Sequence, residues 1–265
     1  MEKQVLKASD TISNTKKTRR MPVFFLYALC GCLTALPMVF PQLWILSWIA
    51  PAFVFADAFF TPAPEKHPLR CAWSRGLSFF YCYGLVVFYW FIELYPLDFA
   101  GLDQWSALAV ILVAWFGLPL LQGVFSAFLF LLLHLLKEKC ARSQFRAAPV
   151  LLPLCTASLW ILFEWIQTLT WAGVPWGKLA LTQCGWLPLV QSASLLGSYA
   201  VSFLVILTAS LLSFALYYLK NATPKRAAAF AAAALCVFGS NAAYGVLRCA
   251  LYQPQGEQIT AAAVQ

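Results

Sequence analysis

Charge is what this sequence has least of. Only 10 of its 265 residues are Asp or Glu, two are His, and charged residues make up 11% of the chain. A soluble globular domain carries roughly a quarter charged residues, so a water-facing surface of ordinary extent cannot be built from this composition. Histidine is too scarce for a histidine-based metal centre, and His67 and His134 have no ligand partner at useful spacing. The sequence has no Ser-His-Asp or Cys-His set and no Gly-rich phosphate loop. Its nine cysteines form neither a CxxC nor a zinc spacing, and an odd number does not complete a disulfide framework. Most lie in apolar runs, where a free thiol packs as a small hydrophobe. No metal and no cofactor is expected.

What the chain has in excess is apolar length. Hydrophobic residues make up 62% of it, and its mean hydropathy is +0.75. Apolar runs cover about 21–40, 43–60, 76–94, 105–136, 149–170, 188–219 and 227–251. Several reach the roughly 20 residues that cross the hydrocarbon region, and in lipid a helix must satisfy its own backbone. The expected fold is an all-α polytopic membrane protein of about seven transmembrane helices with a short C-terminal strand. Residues 1–20 form a basic cytoplasmic tail, 21–251 the helical domain, and 252–265 a turn and strand. Leu29-Cys30-Gly31-Cys32 resembles a lipoprotein cleavage box, but the runs that follow favour a first span over a signal peptide.

Sixteen of the 18 Lys and Arg residues fall in the tail or in the connections after the second, fourth and sixth runs. The other side holds only Lys178 and Arg248. Cytoplasmic loops carry such an excess, which places the N-terminus in the cytoplasm and the C-terminus outside. The net charge of +8 therefore reports topology and does not imply nucleic acid.

The sharpest stretch is Leu159 to Gln183. Glu164 is a carboxylate in an apolar, aromatic helix, and an ionisable group in such a place marks a functional site by default. It reads as an anchor for a lipid headgroup or a proton, or else as an interhelical hydrogen bond of about 1 kcal/mol. Gly173-Val174-Pro175-Trp176 then reads as a helix break at the water interface. Trp171 and Trp105 are ordinary interfacial tryptophans; Trp176 stands out because Gly173 and Pro175 fix its backbone. Asp57, near the end of its run, reads as reaching water.

Leu159-Trp160-Ile161-Leu162-Phe163-Glu164-Trp165, Gly173-Val174-Pro175-Trp176, Gln183, Leu196-Gly197-Ser198-Tyr199 and Ser202-Phe203-Leu204 together resemble bacterial apolipoprotein N-acyltransferase. Tyr89-Trp90 and Phe99-Ala100-Gly101 are also similar, and Ala263-Val264-Gln265 looks like the first strand of that family's nitrilase-type domain. The resemblance implies a bacterial inner-membrane enzyme. It would transfer an acyl chain from a phospholipid to the N-terminal cysteine amine of a diacylated lipoprotein, through a thioester on a cysteine activated by a glutamate and a lysine. That chemistry belongs to the nitrilase-type domain, which here is expected to stop after its first strand. The chain is therefore expected to be inactive alone, with no catalytic residue of its own. Trp90, Glu164, Trp165, Pro175, Trp176 and Gln183 are the candidates for lining the lipid site. Two departures weaken the phospholipid contact: the family's arginine is Gln167, and its Gly-Tyr is Ala180-Leu181. A non-enzymatic membrane module that binds lipid or a separate partner is the alternative. A transporter would show paired broken helices, and no such repeat is visible.

Overall fold

The computed structural model describes residues 23–62, 66–145, 147–169 and 175–252. The basic tail, Trp171, Gly173 and the expected strand at 258–265 lie outside the described residues. The chain forms α1 (Val23–Ala35), α2 (Leu46–Phe60), α3 (Pro68–Val87), α4 (Gln104–Ser126), α5 (Phe128–Arg142), α6 (Ala148–Leu169), α7 (Ala193–Leu196), α8 (Ser198–Lys220) and α9 (Pro224–Leu251). Short 3-10 turns link them, and no strand occurs among the described residues.

Among the described residues, five helical stretches are long and apolar enough to cross a membrane: Pro68–Leu94, Gln104–Arg142, Ala148–Leu169, Ser198–Lys220 and Pro224–Leu251. The first two apolar runs make shorter helices, of 13 and 15 residues. At about 1.5 Å per residue each falls short of a full hydrocarbon crossing. The described residues are thus helical as expected, with five stretches of membrane length and two shorter apolar helices.

Three boundaries differ from the sequence reading. The polar stretch expected to be a loop as far as Arg75 is largely helical, because Pro68 opens α3 at a position where its missing N–H is not needed. The fourth run stays helical through Gly117 and Pro119 and breaks instead at Ala127. The sixth run does not start as one helix at Pro188. It forms a 3-10 turn, the single turn α7, and then α8 after Gly197, whose φ of +71° suits a residue without Cβ.

Small residues set the close approaches, as expected where lipid tails are as apolar as the side chains themselves. Gly31 of α1 lies against the Phe79 carbonyl of α3, and Gly84 of α3 lies against Pro119 of α4. Between these contacts an aromatic core fills the bundle: Phe79 packs edge-on against Trp160 at 6.1 Å and lies 5.9 Å from Phe130.

The two ends of the bundle differ. At one end Tyr27, Asp57, Arg75 and Lys137 meet, and Phe60 stacks on Tyr217 at 3.8 Å. This is the basic end. The opposite, aromatic end gathers Trp44 with Trp186 and Trp90 with Trp176. Asp57 does not simply reach water as expected. Its Oδ2 takes Arg75 Nη1 at 3.0 Å and the Tyr27 hydroxyl at 3.1 Å.

Candidate functional site

At the aromatic end the chain between α6 and α8 folds back into the bundle. Leu179, Ala180, Thr182, Gln183 and Leu189 are all buried there. Buried irregular backbone needs partners for its polar groups, and side chains of three helices supply them. Glu164 Oε1 accepts from the Leu179 amide at 2.9 Å. Ser202 of α8 accepts from the Ala180 amide at 3.1 Å. The hydroxyl of Tyr83, on α3, donates to the Gly177 carbonyl at 2.8 Å.

Glu164 is 8% exposed. Its Oε1 also accepts from Trp160 Nε1 at 2.9 Å, one helical turn back. Its Oε2 is buried without a partner among the described residues. The carboxylate therefore fastens the re-entrant segment to α6 and keeps one oxygen in reserve.

Beside it lies a small cleft, of about 40 Å³, walled by Tyr83, Gly84, Gln122, Ser126, Trp160, Phe163, Glu164, Gln167 and Gly177. Gln167, where the family pattern has arginine, spans to α4 and donates to Ser126 Oγ at 2.7 Å. An uncharged amide here closes a polar contact inside the wall instead of presenting a cation.

Trp176 follows Pro175, which opens the 3-10 turn Pro175–Gly177. The indole sits edge-on to Trp90 at 5.2 Å and is flanked by Phe91 and Phe88 at 6.4 and 6.5 Å. Trp90 and Trp176, 86 positions apart in the sequence, thus form one aromatic roof. Gly177, next to Trp176, lines the same cleft as Glu164.

Among the described residues, only Glu164 of the six candidates is in the cleft wall; Trp90 and Trp176 lie beside it, and Trp165 and Gln183 lie elsewhere. Trp165 is 48% exposed; it follows Glu164 on the helix, so its side chain turns about 100° away from the cleft. Gln183 is 0% exposed and is not in the wall of the Glu164 cleft. Its Oε1 accepts from Trp48 Nε1 at 2.6 Å, and its Nε2 donates to Thr182 Oγ1 at 2.7 Å and to the Trp44 carbonyl at 3.4 Å. It ties the re-entrant segment to α2. Tyr83, Trp160 and Ser202 belong to the site and were not singled out from the sequence. The Trp160–Glu164 spacing of four was the one readable signal among them; the other two come from helices whose neighbours the sequence does not disclose.

A bundle of lipid-length helices that takes a short segment back into one end and holds it on a buried carboxylate is the architecture of a polytopic membrane-type domain. The family model of the apolipoprotein N-acyltransferase N-terminal domain matches residues 30–211, and the chain belongs to this family. It is similar to the apolipoprotein N-acyltransferase of Rickettsia typhi, with 29% identity over 176 residues, 61% of this chain and 32% of the relative. It is also similar to that of Gloeobacter violaceus, with 26% identity over 251 residues, 93% of this chain and 44% of the relative. The chain spans less than half the length of these curated relatives.

Proposed function

We propose that this chain is the membrane platform of a lipoprotein N-acyltransferase. The reaction moves an acyl chain from a phospholipid to the N-terminal cysteine amine of a diacylated lipoprotein, in a bacterial inner membrane. The nucleophilic cysteine, with its glutamate and lysine, comes from a nitrilase-type domain seated over the aromatic end. Glu164, Trp90, Pro175 and Trp176 form the floor and roof under which the lipid substrates meet it. Trp165 touches the surrounding acyl chains, and Gln183 holds the segment in position. The observation that carries this reading is the Trp90–Trp176 roof beside the Glu164 cleft, at the end of the bundle opposite the ion-paired basic cluster.

The same reading gives the topology. α1 and α2 cross as well, making seven passages with the N-terminus in the cytoplasm and the C-terminus outside. Supporting this, α1 and α2 meet near both their ends, through Tyr27 with Asp57 and through Ser47 Oγ with the Thr34 carbonyl at 2.9 Å. Short spans of this kind are accommodated by local thinning of the bilayer.

Residues 1–265 alone are expected to leave a fluorescent phospholipid unconsumed, and to support acylation of a diacylated lipopeptide once a nitrilase-type domain is supplied. In that reconstituted reaction W90A and W176A should each lower kcat/KM about two- to tenfold, the range corresponding to an aromatic pair. The double variant should be little worse than either single one. Turnover of the phospholipid by residues 1–265 alone contradicts the reading.

A further inference from the structure

A second cleft opens at the basic end, bounded by α1, α2, α3 and α5. It is small, about 30 Å³, and its wall carries Arg75, Lys137 and His134 beside Tyr27, Thr61 and Cys71. No carboxylate is part of that wall among the described residues. Asp57 binds Arg75 but is not in the wall. Glu138, next to Lys137 on α5, lines a different depression with Lys139 and Arg142.

The cations are held but not used up. Arg75 gives Nη1 to Asp57 at 3.0 Å. Its Nε is buried with no acceptor among the described residues. Lys137 donates to the Ala58 and Thr61 carbonyls at 3.2 and 2.8 Å, at the C-terminus of α2, where a cation is favourable. An ammonium has three protons to give, so one remains. A buried guanidinium donor without an acceptor costs free energy, and a planar fork beside a point charge suits the tetrahedral oxygens of phosphate.

We propose that this cleft binds a phosphate group, carried by a lipid headgroup of the leaflet at the basic end or free in solution. Arg75 gives the unpaired Nε–H, Lys137 its third proton, and His134 a ring N–H, while Asp57 fixes the guanidinium from behind. The site lies across the bundle from the Glu164 cleft and does not depend on the acyl-transfer reading. A lipid held here would seat the bundle at a fixed depth in that leaflet, where anionic lipids attract clustered Lys and Arg.

The test uses the full chain purified in detergent, with retained lipid read by native mass spectrometry and unfolding read by thermal midpoint. The probes are phosphatidylglycerol, diacylglycerol with the same acyl chains, and inorganic phosphate. If the lipid is the source, phosphatidylglycerol is retained about tenfold better than diacylglycerol, and H134Q/K137Q removes most of that preference. If the free anion is the source, inorganic phosphate raises the midpoint, lipid identity is immaterial, and the double variant abolishes the rise. Equal retention of both lipids with no effect of phosphate overturns the site. So does a preference that survives in the folded double variant. Should that variant not fold, R75K serves in its place: it keeps a cation opposite Asp57 and loses the fork, and an undiminished phosphate preference there overturns the proposal equally.

Discussion

Each end of the bundle holds a carboxylate largely out of solvent, and the two are treated differently. Asp57, with its side chain 13% exposed, meets a full cation in Arg75 and a hydroxyl in Tyr27. Glu164, 8% exposed, meets only neutral donors, an indole N–H and a backbone N–H, both on one oxygen. The first arrangement ties three helices together through Oδ2 of Asp57. The second ties a re-entrant turn to a helix and leaves Oε2 unmatched among the described residues. Breaking a paired buried charge and stranding buried donors both destabilise, by different routes. The contrast separates two uses of a carboxylate: the basic-end one is matched to a cation across three helices, while the aromatic-end one meets neutral donors and keeps one buried oxygen unmatched among the described residues.

The strongest way to break this comparison is Glu164→Leu. It leaves the Leu179 amide and Trp160 Nε1 buried without an acceptor, at about 1–3 kcal/mol each, so a loss of about 3–5 kcal/mol is expected. Glu164→Gln keeps an acceptor in the same place and should lose less than about 2 kcal/mol. Thermal unfolding in detergent measures both. Proteolysis at Lys178 should accelerate in the leucine variant because the turn beginning at Leu179 loses its tether. Equal stability of the two variants would mean that the carboxylate does not hold the segment.

At the other end, a double-mutant cycle over Asp57→Asn and Arg75→Gln should give a coupling of about 1–2 kcal/mol. That lies between the value for exposed pairs, about 0–1, and the loss on breaking buried ones, about 3–5 kcal/mol, as the partial exposure of both side chains requires. Proteolysis at Lys178 should not change in either single variant. A coupling near zero would make the pair incidental and remove the contrast between the two ends.

The membrane class, the position of Glu164 in a helix and the Trp176 turn were all legible in the residues themselves. Hydropathy fixes which stretches enter lipid, and a lone carboxylate among Trp, Leu and Phe announces itself. The partners were not legible. That Glu164 holds Leu179, or that Trp90 meets Trp176, depends on how α3, α6 and the re-entrant segment pack, and helix packing in lipid follows small residues such as Gly31 and Gly84 whose mates cannot be read from spacing. Gln183 became a candidate through its place in the family pattern, which does not disclose that its amide is held by Trp48, Thr182 and the Trp44 backbone. The broken sixth run misled because hydropathy is blind to backbone conformation: residues 188–197 are largely apolar, yet they form a 3-10 turn and a single helical turn that ends at the positive φ of Gly197.

The smallest effect distinguishes the helix starts at the two ends. α3 and α9 begin at the basic end with proline and no side-chain cap. α4 begins at the aromatic end with Asp103, whose Oδ2 accepts from the Trp105 and Ser106 amides at 3.1 and 3.3 Å. Hydrogen bonds from Ser106, its side chain foremost, hold the Asp103 carboxyl below its ordinary value. A depressed carboxyl contributes stability above its unfolded value of about 3.9, and that contribution disappears as pH falls through the folded value. The midpoint gap between wild type and Asp103→Ala should therefore be constant near neutrality and close below about pH 4. High salt should narrow it at every pH, because the residue faces solvent. A gap that persists undiminished at pH 3 would assign the cap to geometry alone and leave the charge at this helix start without a role.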